Sequence, residues 1–248
     1  MENRSPSRPE GHPPQRRHHV AVTLLAMTSG ALDAIGFLGL GGVFASVMTG
    51  NLVLLGLSAG TRNSALAAHA AVAVSGYAIG VGAGARVVWD RSDIPTQGWS
   101  RRLHHVLVVE LVLVVGFSIG WELTVSRTST SDQLVLIGIA ATAMGLQSAT
   151  VRAWTGAATS TTYLTGTLTG VVGAVAAGRP LRQEWAGVAV LAAALVGAAL
   201  AGVALAERSA LAPVVPLVTL VGVLVIGRTL VADAGAATSA DGAQADAP

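Results

Sequence analysis

The chain is 248 residues long, and 52% of them are hydrophobic while only 11% are charged. A soluble domain carries about 25% charged residues, so this composition excludes an ordinary soluble protein and favours one whose solvent is lipid. The absence of cysteine excludes disulfides and thiolate chemistry, and the net charge of +2 comes from scattered arginines that form no nucleic-acid-binding patch.

Eight apolar segments lie between two polar tails. Residues 1–19, a predicted cytoplasmic tail, are rich in proline and arginine, and residues 232–248 have low complexity, so both tails are predicted to be disordered. Residues 20–231 are predicted to form a single transmembrane domain with two halves, 20–123 and 134–231. The apolar segments are Val20–Leu40, Phe44–Ala59, Ala65–Trp89, Val106–Leu123, Leu134–Ala153, Thr162–Ala177, Trp185–Ala206 and Ala212–Val231.

The second and sixth segments are short and contain a Thr-Gly pair, Thr49-Gly50 and Thr165-Gly166. A helix of roughly 16 residues is about 24 Å long, against a hydrocarbon core of about 30 Å. Glycine also weakens a helix in its interior. Both segments are therefore predicted to be broken or re-entrant.

The two halves resemble each other in sequence. "GALDAIG" followed by "MTGNL" in the first half matches "GLQSATV" followed by "LTGTL" in the second, which pairs Asp33 with Gln147 and Thr49 with Thr165. The third and seventh segments also carry small residues at every fourth position, where helix backbones approach closely in lipid. These positions are Gly76, Gly80, Gly84, Ala193, Gly197 and Ala201. A two-fold internal repeat is predicted.

The arginines discriminate between two topologies. With an internal N-terminus and eight spans, nine arginines lie inside and six outside; with two re-entrant segments the division becomes twelve to three. The positive-inside rule favours the second arrangement. We therefore predict an all-α polytopic bundle with six full spans and two short helices, whose halves form an inverted repeat. Eight thin spans in a thinned bilayer are the alternative.

The paired Thr-Gly breaks indicate a transport site. Non-helical backbone at membrane depth must be buried in protein or line a wet cavity, and matched short segments point to a binding site. A half-helix beginning near Thr49 or Thr165 would aim its positive end at the protein centre, and Asn51 can donate and accept there. In the alternative interpretation, the threonines bond back to their own helices and the glycines only permit tight packing.

Asp33 is the strongest single candidate. An acidic residue at a helix centre costs about 3 kcal/mol, nearly as much as the roughly 3–5 kcal/mol that the apolar residues of the span contribute. It should face the bundle interior with a partner, or be protonated. A role in a solute or proton pathway, a structural clamp and a position at the helix end all remain open.

Glu110 and Arg152 are secondary candidates. Glu110 is either a second intramembrane carboxylate or a side chain that reaches the polar edge near His104 or a neighbouring arginine. Arg152 is either a partner for Asp33 or an interfacial anchor. We find no catalytic constellation, no metal-binding motif and no dinucleotide fingerprint, since "GVGAGA" from Gly80 lies in an apolar span. No enzyme activity and no cofactor are predicted.

Asp33 with "MTGNL" at Met48–Leu52, and "GLQ" at Gly145–Gln147 with "LTGTL" at Leu164–Leu168, carry a family resemblance. Over residues 20–230 the chain resembles the YoaK-like family of small bacterial integral membrane proteins of unknown function. The resemblance implies a location in the bacterial inner membrane and supplies no substrate.

Two functions are predicted as alternatives. The first is a small secondary permease or channel-like carrier, in which a small solute or anion binds between the Thr-Gly breaks. The second is a non-transporting membrane scaffold or accessory subunit. The bilayer is the expected partner, and the glycine-rich third span is a candidate face for a homodimer.

Overall fold

The computed structural model describes residues 13–89, 99–124, 129–155 and 164–245 of the chain. Within these ranges the chain forms eight α-helices and no β-strand, as predicted. The helices are α1 (Pro13–Gly39), α2 (Met48–Thr61), α3 (Ser64–Val88), α4 (Arg101–Thr124), α5 (Thr130–Thr155), α6 (Leu164–Ala176), α7 (Trp185–Glu207) and α8 (Val214–Ala245).

Six of the helices are long and apolar enough to cross a membrane, which confirms that part of the prediction. The exceptions are α2, with 14 residues, and α6, with 13. At 1.5 Å per residue they are about 20 Å long, too short for a hydrocarbon core of about 30 Å.

The predicted boundaries of the tails differ from the structure. Helix α1 begins at Pro13 rather than Val20, because proline suits the first helical turn and Gln15, Arg16 and Arg17 are good helix formers. Helix α8 continues to Ala245, through most of the segment predicted to be disordered, because this segment is rich in alanine and has no proline before Pro248. The first 12 residues lie outside the described part.

We call the end of the bundle at which α1 begins the proximal end. There the rings of His18 and Trp154 lie 5.1 Å apart, which joins the start of α1 to the end of α5. Trp99, just before α4, lies 4.9 Å from Trp154 and packs directly on Gly227 of α8. The proximal end therefore collects the beginnings of α1 and α4 and the later parts of α5 and α8.

The opposite end is the distal end. Gly39, the last residue of α1, lies against the indole ring of Trp121 in α4, where a Cβ would be 2.6 Å from the ring. Trp121 donates a 2.8 Å hydrogen bond from Nε1 to the carbonyl of Ser209, just before α8. His69 and Gln133, near the starts of α3 and α5, are joined by a 3.2 Å contact.

These contacts fix the direction of each long helix. Helices α1, α4 and α7 run from the proximal to the distal end, and α7 begins beside α1, with the rings of His19 and Trp185 5.0 Å apart. Helices α3, α5 and α8 run the other way. Since α1 ends and α3 begins at the distal end, α2 lies between two points at that end, and α6 connects α5 to α7 at the proximal end. A bundle of eight alternating helices would instead make α1 and α5 parallel.

Glycines bring α1 and α7 into backbone contact. A Cβ added at Gly30 would overlap the carbonyl of Ala194, and one at Gly197 would overlap the carbonyl of Met27. No larger side chain fits at either glycine without separating the helices. The absence of Cβ atoms lets the two backbones pack closely, as in other lipid-embedded helix pairs.

Helices α3 and α5 pack in the same way. Gly80 faces the carbonyl of Thr142, and Gly145 faces the carbonyl of Tyr77. The small residues predicted to allow close packing are all buried, namely Gly76, Gly80, Gly84, Ala193, Gly197 and Ala201. The glycine-rich face of α3 is therefore covered by α5 within the same chain, and homodimerisation stays a prediction.

Candidate functional site

The segment between α1 and α2 turns back into the bundle. Gly41 and Gly42 have φ values of 86° and 76°, a left-handed conformation that favours glycine, and they reverse the chain after α1. Val43 and Ala45 are then fully buried, and the carbonyl of Val43 lies against Gly36 of α1. The chain thus runs back along α1 from the distal end towards the middle of the bundle.

Asp33 binds this returning segment. Its Oδ1 accepts a 2.7 Å hydrogen bond from the backbone N–H of Ser46, and its Oδ2 accepts a 2.5 Å bond from the Ser46 hydroxyl. That hydroxyl also lies 2.8 Å from the hydroxyl of Ser29. Both carboxylate oxygens are satisfied by groups at the entrance to α2, so Asp33 acts on the helix start as a cap supplied by another helix.

Asn51 holds the same segment from the other side. Its Oδ1 accepts a 2.9 Å bond from the N–H of Phe44, and its Nδ2 donates a 2.7 Å bond to the carbonyl of Phe44. The side chain is fully buried. One amide therefore satisfies both backbone groups of a residue that lies outside any helix.

As a result, α2 begins inside the bundle. Its first residue, Met48, follows Ser46, which is bonded to Ser29 and Asp33 near the middle of the long helix α1. The predicted half-helix is present, with its N-terminal, electropositive end inside. Thr49 does not cap this helix, because it is exposed within the first turn, and the residue before the helix, Val47, makes no side-chain capping bond.

The second Thr-Gly pair is placed differently. Thr165 and Gly166, near the start of α6, are exposed, and Ala174 is the buried residue of this helix. The segment that leads from α5 to α6 lies outside the described residues. The structure therefore does not bring the two Thr-Gly pairs together around an interior pocket.

Gln147 lies in the core but away from Asp33. It is fully buried, and its Nε2 donates a 3.1 Å bond to the carbonyl of Leu25. Leu25 precedes Asp33 by about two helical turns, or roughly 12 Å along α1. The sequence match between Asp33 and Gln147 therefore does not correspond to a contact.

Glu110 is the most unusual polar residue of the bundle. It lies on the packed face of α4 and is 0% exposed, and neither carboxylate oxygen has a hydrogen-bond partner among the described residues. No ion pair to it is formed in the described part either. The interpretation that it reaches the polar edge or pairs with an arginine is therefore wrong.

Arg152 lies at the surface of the bundle. Its side chain is exposed near the proximal end, with the guanidinium 5.8 Å from the ring centre of Trp89 in a cation–π arrangement. Asp33 lies in the distal half of α1, so the alternative pairing of Arg152 with Asp33 is wrong. The anchor interpretation made from the sequence agrees with this position.

Several buried hydroxyl groups were not predicted from the sequence. Ser29 and Ser46 complete the Asp33 cluster, and the hydroxyls of Thr28 in α1 and Thr219 in α8 share a 2.7 Å hydrogen bond in the interior. Serine and threonine are common in membrane helices, where they bond back to their own carbonyls. The Gly-Gly pair before Ser46 was the one available signal, since it indicates a chain reversal.

Comparison with known proteins identifies the family of this chain. Residues 21–226 match the family model described as "Protein of unknown function (DUF1275)". The chain belongs to this family. A DUF1275 relative, the "UPF0700 transmembrane protein YoaK" of Bacillus subtilis (strain 168), is 31% identical over 147 residues. The alignment covers 59% of this chain and 62% of the relative's length.

The DUF1275 assignment and the six long apolar helices make this chain a multi-pass integral membrane protein. The resemblance to the YoaK-like family is confirmed. No solved structure matches the chain.

Proposed function

We propose that this protein is a small secondary permease or channel-like carrier for a small anionic or polar solute. The observation that carries the proposal is the half-helix α2, whose electropositive end lies inside the bundle against a buried carboxylate. Half-helices that end near the membrane midplane are the usual binding elements of secondary transporters. Asp33 occupies the helix start in the present arrangement, and a solute anion would compete with it there.

The glycine contacts support an inverted repeat as the framework of this carrier. Gly30 corresponds to Gly145. Gly30 faces the carbonyl of Ala194 and lies three residues after Met27, whose own carbonyl faces Gly197. In the same way, Gly145 faces the carbonyl of Tyr77 and lies three residues after Thr142, whose own carbonyl faces Gly80. The same relation connects the glycines of α7 and α3. This register pairs Asp33 with Ser148 rather than with Gln147. Since α1 and α5 run in opposite directions, the two halves would be inverted, with α2 and α6 entering from opposite faces.

The distribution of arginine supports a cytoplasmic proximal end. Nine of the eleven arginines with described side chains lie towards the proximal end of the bundle, while Arg62 and Arg208 lie at the distal end. Cytoplasmic loops of membrane proteins carry the excess of arginine. The N-terminus would then face the cytoplasm of a bacterium, with the protein in its inner membrane.

Glu110 is the group that we propose to carry a proton. A carboxylate at this depth without a cation or donor is too costly to remain charged, so the side chain would hold a proton in this state. Glu110 lies at about the same depth in the bundle as the hydrogen bond between Thr28 of α1 and Thr219 of α8. This depth follows from the antiparallel packing of α4 and α8, in which Trp121 bonds to Ser209. A change in solvation at this level would release the proton.

A non-transporting scaffold or accessory subunit is the second candidate. It is favoured by the complete internal hydrogen bonding of Asp33 and Asn51, which is what a structural clamp requires. In both proposals the protein is not an enzyme. Dimerisation stays a prediction, with no face assigned.

Transport in proteoliposomes separates the two candidates. We would measure uptake of radiolabelled succinate, lactate and chloride, with the outside pH set at 6 or 8 in separate runs. The carrier proposal predicts uptake above that of empty liposomes for at least one probe, stimulated by external acid. Glu110→Gln should abolish the stimulation, and Asp33→Asn should reduce the rate several-fold.

Glu122→Gln is the matched control, since Glu122 lies on the same helix but is exposed. It should transport like the wild type. Equal acid stimulation in wild type and Glu110→Gln would remove Glu110 from the mechanism. No uptake of any probe, together with a protein partner that co-purifies in fixed stoichiometry, would replace the carrier by the scaffold.

A further inference from the structure

A small cavity lies at the proximal end, where the beginning of α4 meets the later part of α8. Its volume is about 120 Å³, enough for several water molecules and hence for a phosphate group. It is lined by Arg101, His104, His105, Arg228 and Val231. Four of these five side chains are basic, and they come from two helices that approach from opposite directions.

The positive charge of this cavity has no counterion within the described residues. No carboxylate there forms an ion pair with Arg101 or Arg228, although the side chains of the two helices converge. Nδ1 of His104 is buried and also has no hydrogen-bond partner in the described part. Holding like charges together costs free energy, which a bound anion would recover.

The backbone adds to this positive potential. Helix α4 begins at Arg101, so its N-terminal N–H groups and the positive end of its dipole lie beside the cavity. The hydroxyl of Ser100 accepts a bond from the N–H of Leu103, which fixes the helix start but adds no negative charge. The guanidinium groups supply the planar donor pairs that match phosphate oxygens.

The cavity lies at the level expected for lipid headgroups. Trp99 and Trp154 pack together at the same end, and tryptophan is enriched where a membrane meets water. Basic cavities between transmembrane helices on the cytoplasmic side are suited to the phosphates of anionic lipids.

We propose that this cavity, lined by Arg101, His104, His105 and Arg228, is a binding site for a phosphate group, supplied by an anionic lipid or by free phosphate. The two arginines bind its oxygens, and the imidazoles of His104 and His105 line the edge of the cavity. The site is separate from the Asp33 cluster and does not depend on a transport function. Its occupation joins α4 to α8 and stabilises the proximal end of the bundle.

The experiment uses the purified full-length protein in detergent and measures the thermal midpoint by tryptophan fluorescence. Cardiolipin, phosphatidylglycerol, phosphatidylcholine or inorganic phosphate is titrated into parallel samples. The lipid form of the proposal predicts a rise in the midpoint with the two anionic lipids and little change with phosphatidylcholine. Stabilisation by inorganic phosphate as well would identify the free ion as a ligand.

Arg228→Gln should weaken the apparent affinity for the stabilising ligand about tenfold, and Arg101→Gln should do the same. Arg208→Gln, at the distal end, and Arg152→Gln, at the proximal end but outside the cavity, should bind like the wild type. If all four variants respond alike, or if none of the three anionic ligands (cardiolipin, phosphatidylglycerol and inorganic phosphate) raises the midpoint, the phosphate site is rejected. Native mass spectrometry of the retained lipid gives a second readout that does not depend on stability.

Discussion

The short helices α2 and α6 begin with the same Thr-Gly pair but are held by the bundle in different ways. Helix α2 buries Asn51 and Ser58, and the segment before it is bonded to α1 through Ser46. Helix α6 exposes most of its residues and packs mainly on α7, where Gly187 admits the side chains of Val171 and Thr167.

The difference begins at the residue that follows the Thr-Gly pair. Asn51 supplies a donor and an acceptor to Phe44, whereas the corresponding Thr167 has a single hydroxyl and is half-buried. A threonine carries one hydroxyl on a shorter side chain in place of the separate carbonyl oxygen and NH2 group of the amide. The Thr-Gly pair therefore marks where each short helix begins, and Asn51 holds the chain before α2.

The long helices show no such difference. Helix α1 packs on α7, and α3 packs on α5, through glycines at the same spacing. Two similarly packed pairs of long helices thus support the two short helices, of which α2 is held by buried hydrogen bonds and α6 is more exposed. In the carrier proposal, the exposed helix α6 is the element that can shift, because fewer buried contacts resist its movement.

The largest loss of stability is expected when the close contact of α1 with α7, or that of α3 with α5, is disturbed. In Gly197→Ala the new Cβ would overlap the carbonyl of Met27, so α1 and α7 must separate. Overpacking of this kind costs about 1–3 kcal/mol, and a rigid backbone carbonyl leaves little room for relaxation. The fraction folded in a detergent titration should fall clearly, and Gly80→Ala should behave similarly because it would overlap Thr142.

Gly202→Ala on the same helix is the control, because a Cβ there would meet no atom within 4 Å. It should be neutral or slightly stabilising, since alanine is favoured over glycine in a helix by about 1 kcal/mol. If Gly197→Ala and Gly202→Ala are equally stable, the close approach of α1 and α7 is contradicted.

A smaller effect is expected when the two short helices exchange the residue that follows their Thr-Gly pair. Asn51→Thr leaves the N–H and the carbonyl of Phe44 without their side-chain partner, at a cost of about 1–2 kcal/mol. Hydrogen exchange of the segment before α2 should accelerate, while that of α3 should be unchanged.

The reciprocal change Thr167→Asn should reduce stability less than Asn51→Thr, because most residues of α6 are exposed and Thr167 itself is only half-buried. Equal losses of stability in the two variants would mean that the bundle holds α2 and α6 equally firmly, which would contradict the difference between the two helices. Unchanged exchange before α2 in Asn51→Thr would show that the amide of Asn51 is not the clamp.

The framework was largely predictable from the sequence, because helix length and hydropathy are local properties. The short lengths and the glycines of the second and sixth segments favoured broken or re-entrant helices, and the arginine count favoured the topology in which α1 and α5 run in opposite directions. The small residues of α3 and α7 were recognised for the same reason, since close packing in lipid depends on residue size.

The site was less predictable, because its contacts join residues distant in the chain. The partner of Asp33 is Ser46 rather than Arg152, and this depends on how two glycines reverse the chain after α1. The complete burial of Glu110 depends on which face of α4 packs inward. A helix that is apolar on most sides gives no periodicity from which that face can be read.

The central claim is that α2 and α6 enter the membrane domain from opposite faces, and labelling of single cysteines tests it directly. The chain has no native cysteine, so Arg62→Cys after α2 and Arg179→Cys after α6 each introduce one site. In intact bacterial cells, a membrane-impermeant maleimide should label position 62, and it should label position 179 only after the membrane is opened. Labelling of both positions from the same side would contradict the account, since eight alternating spans place them together.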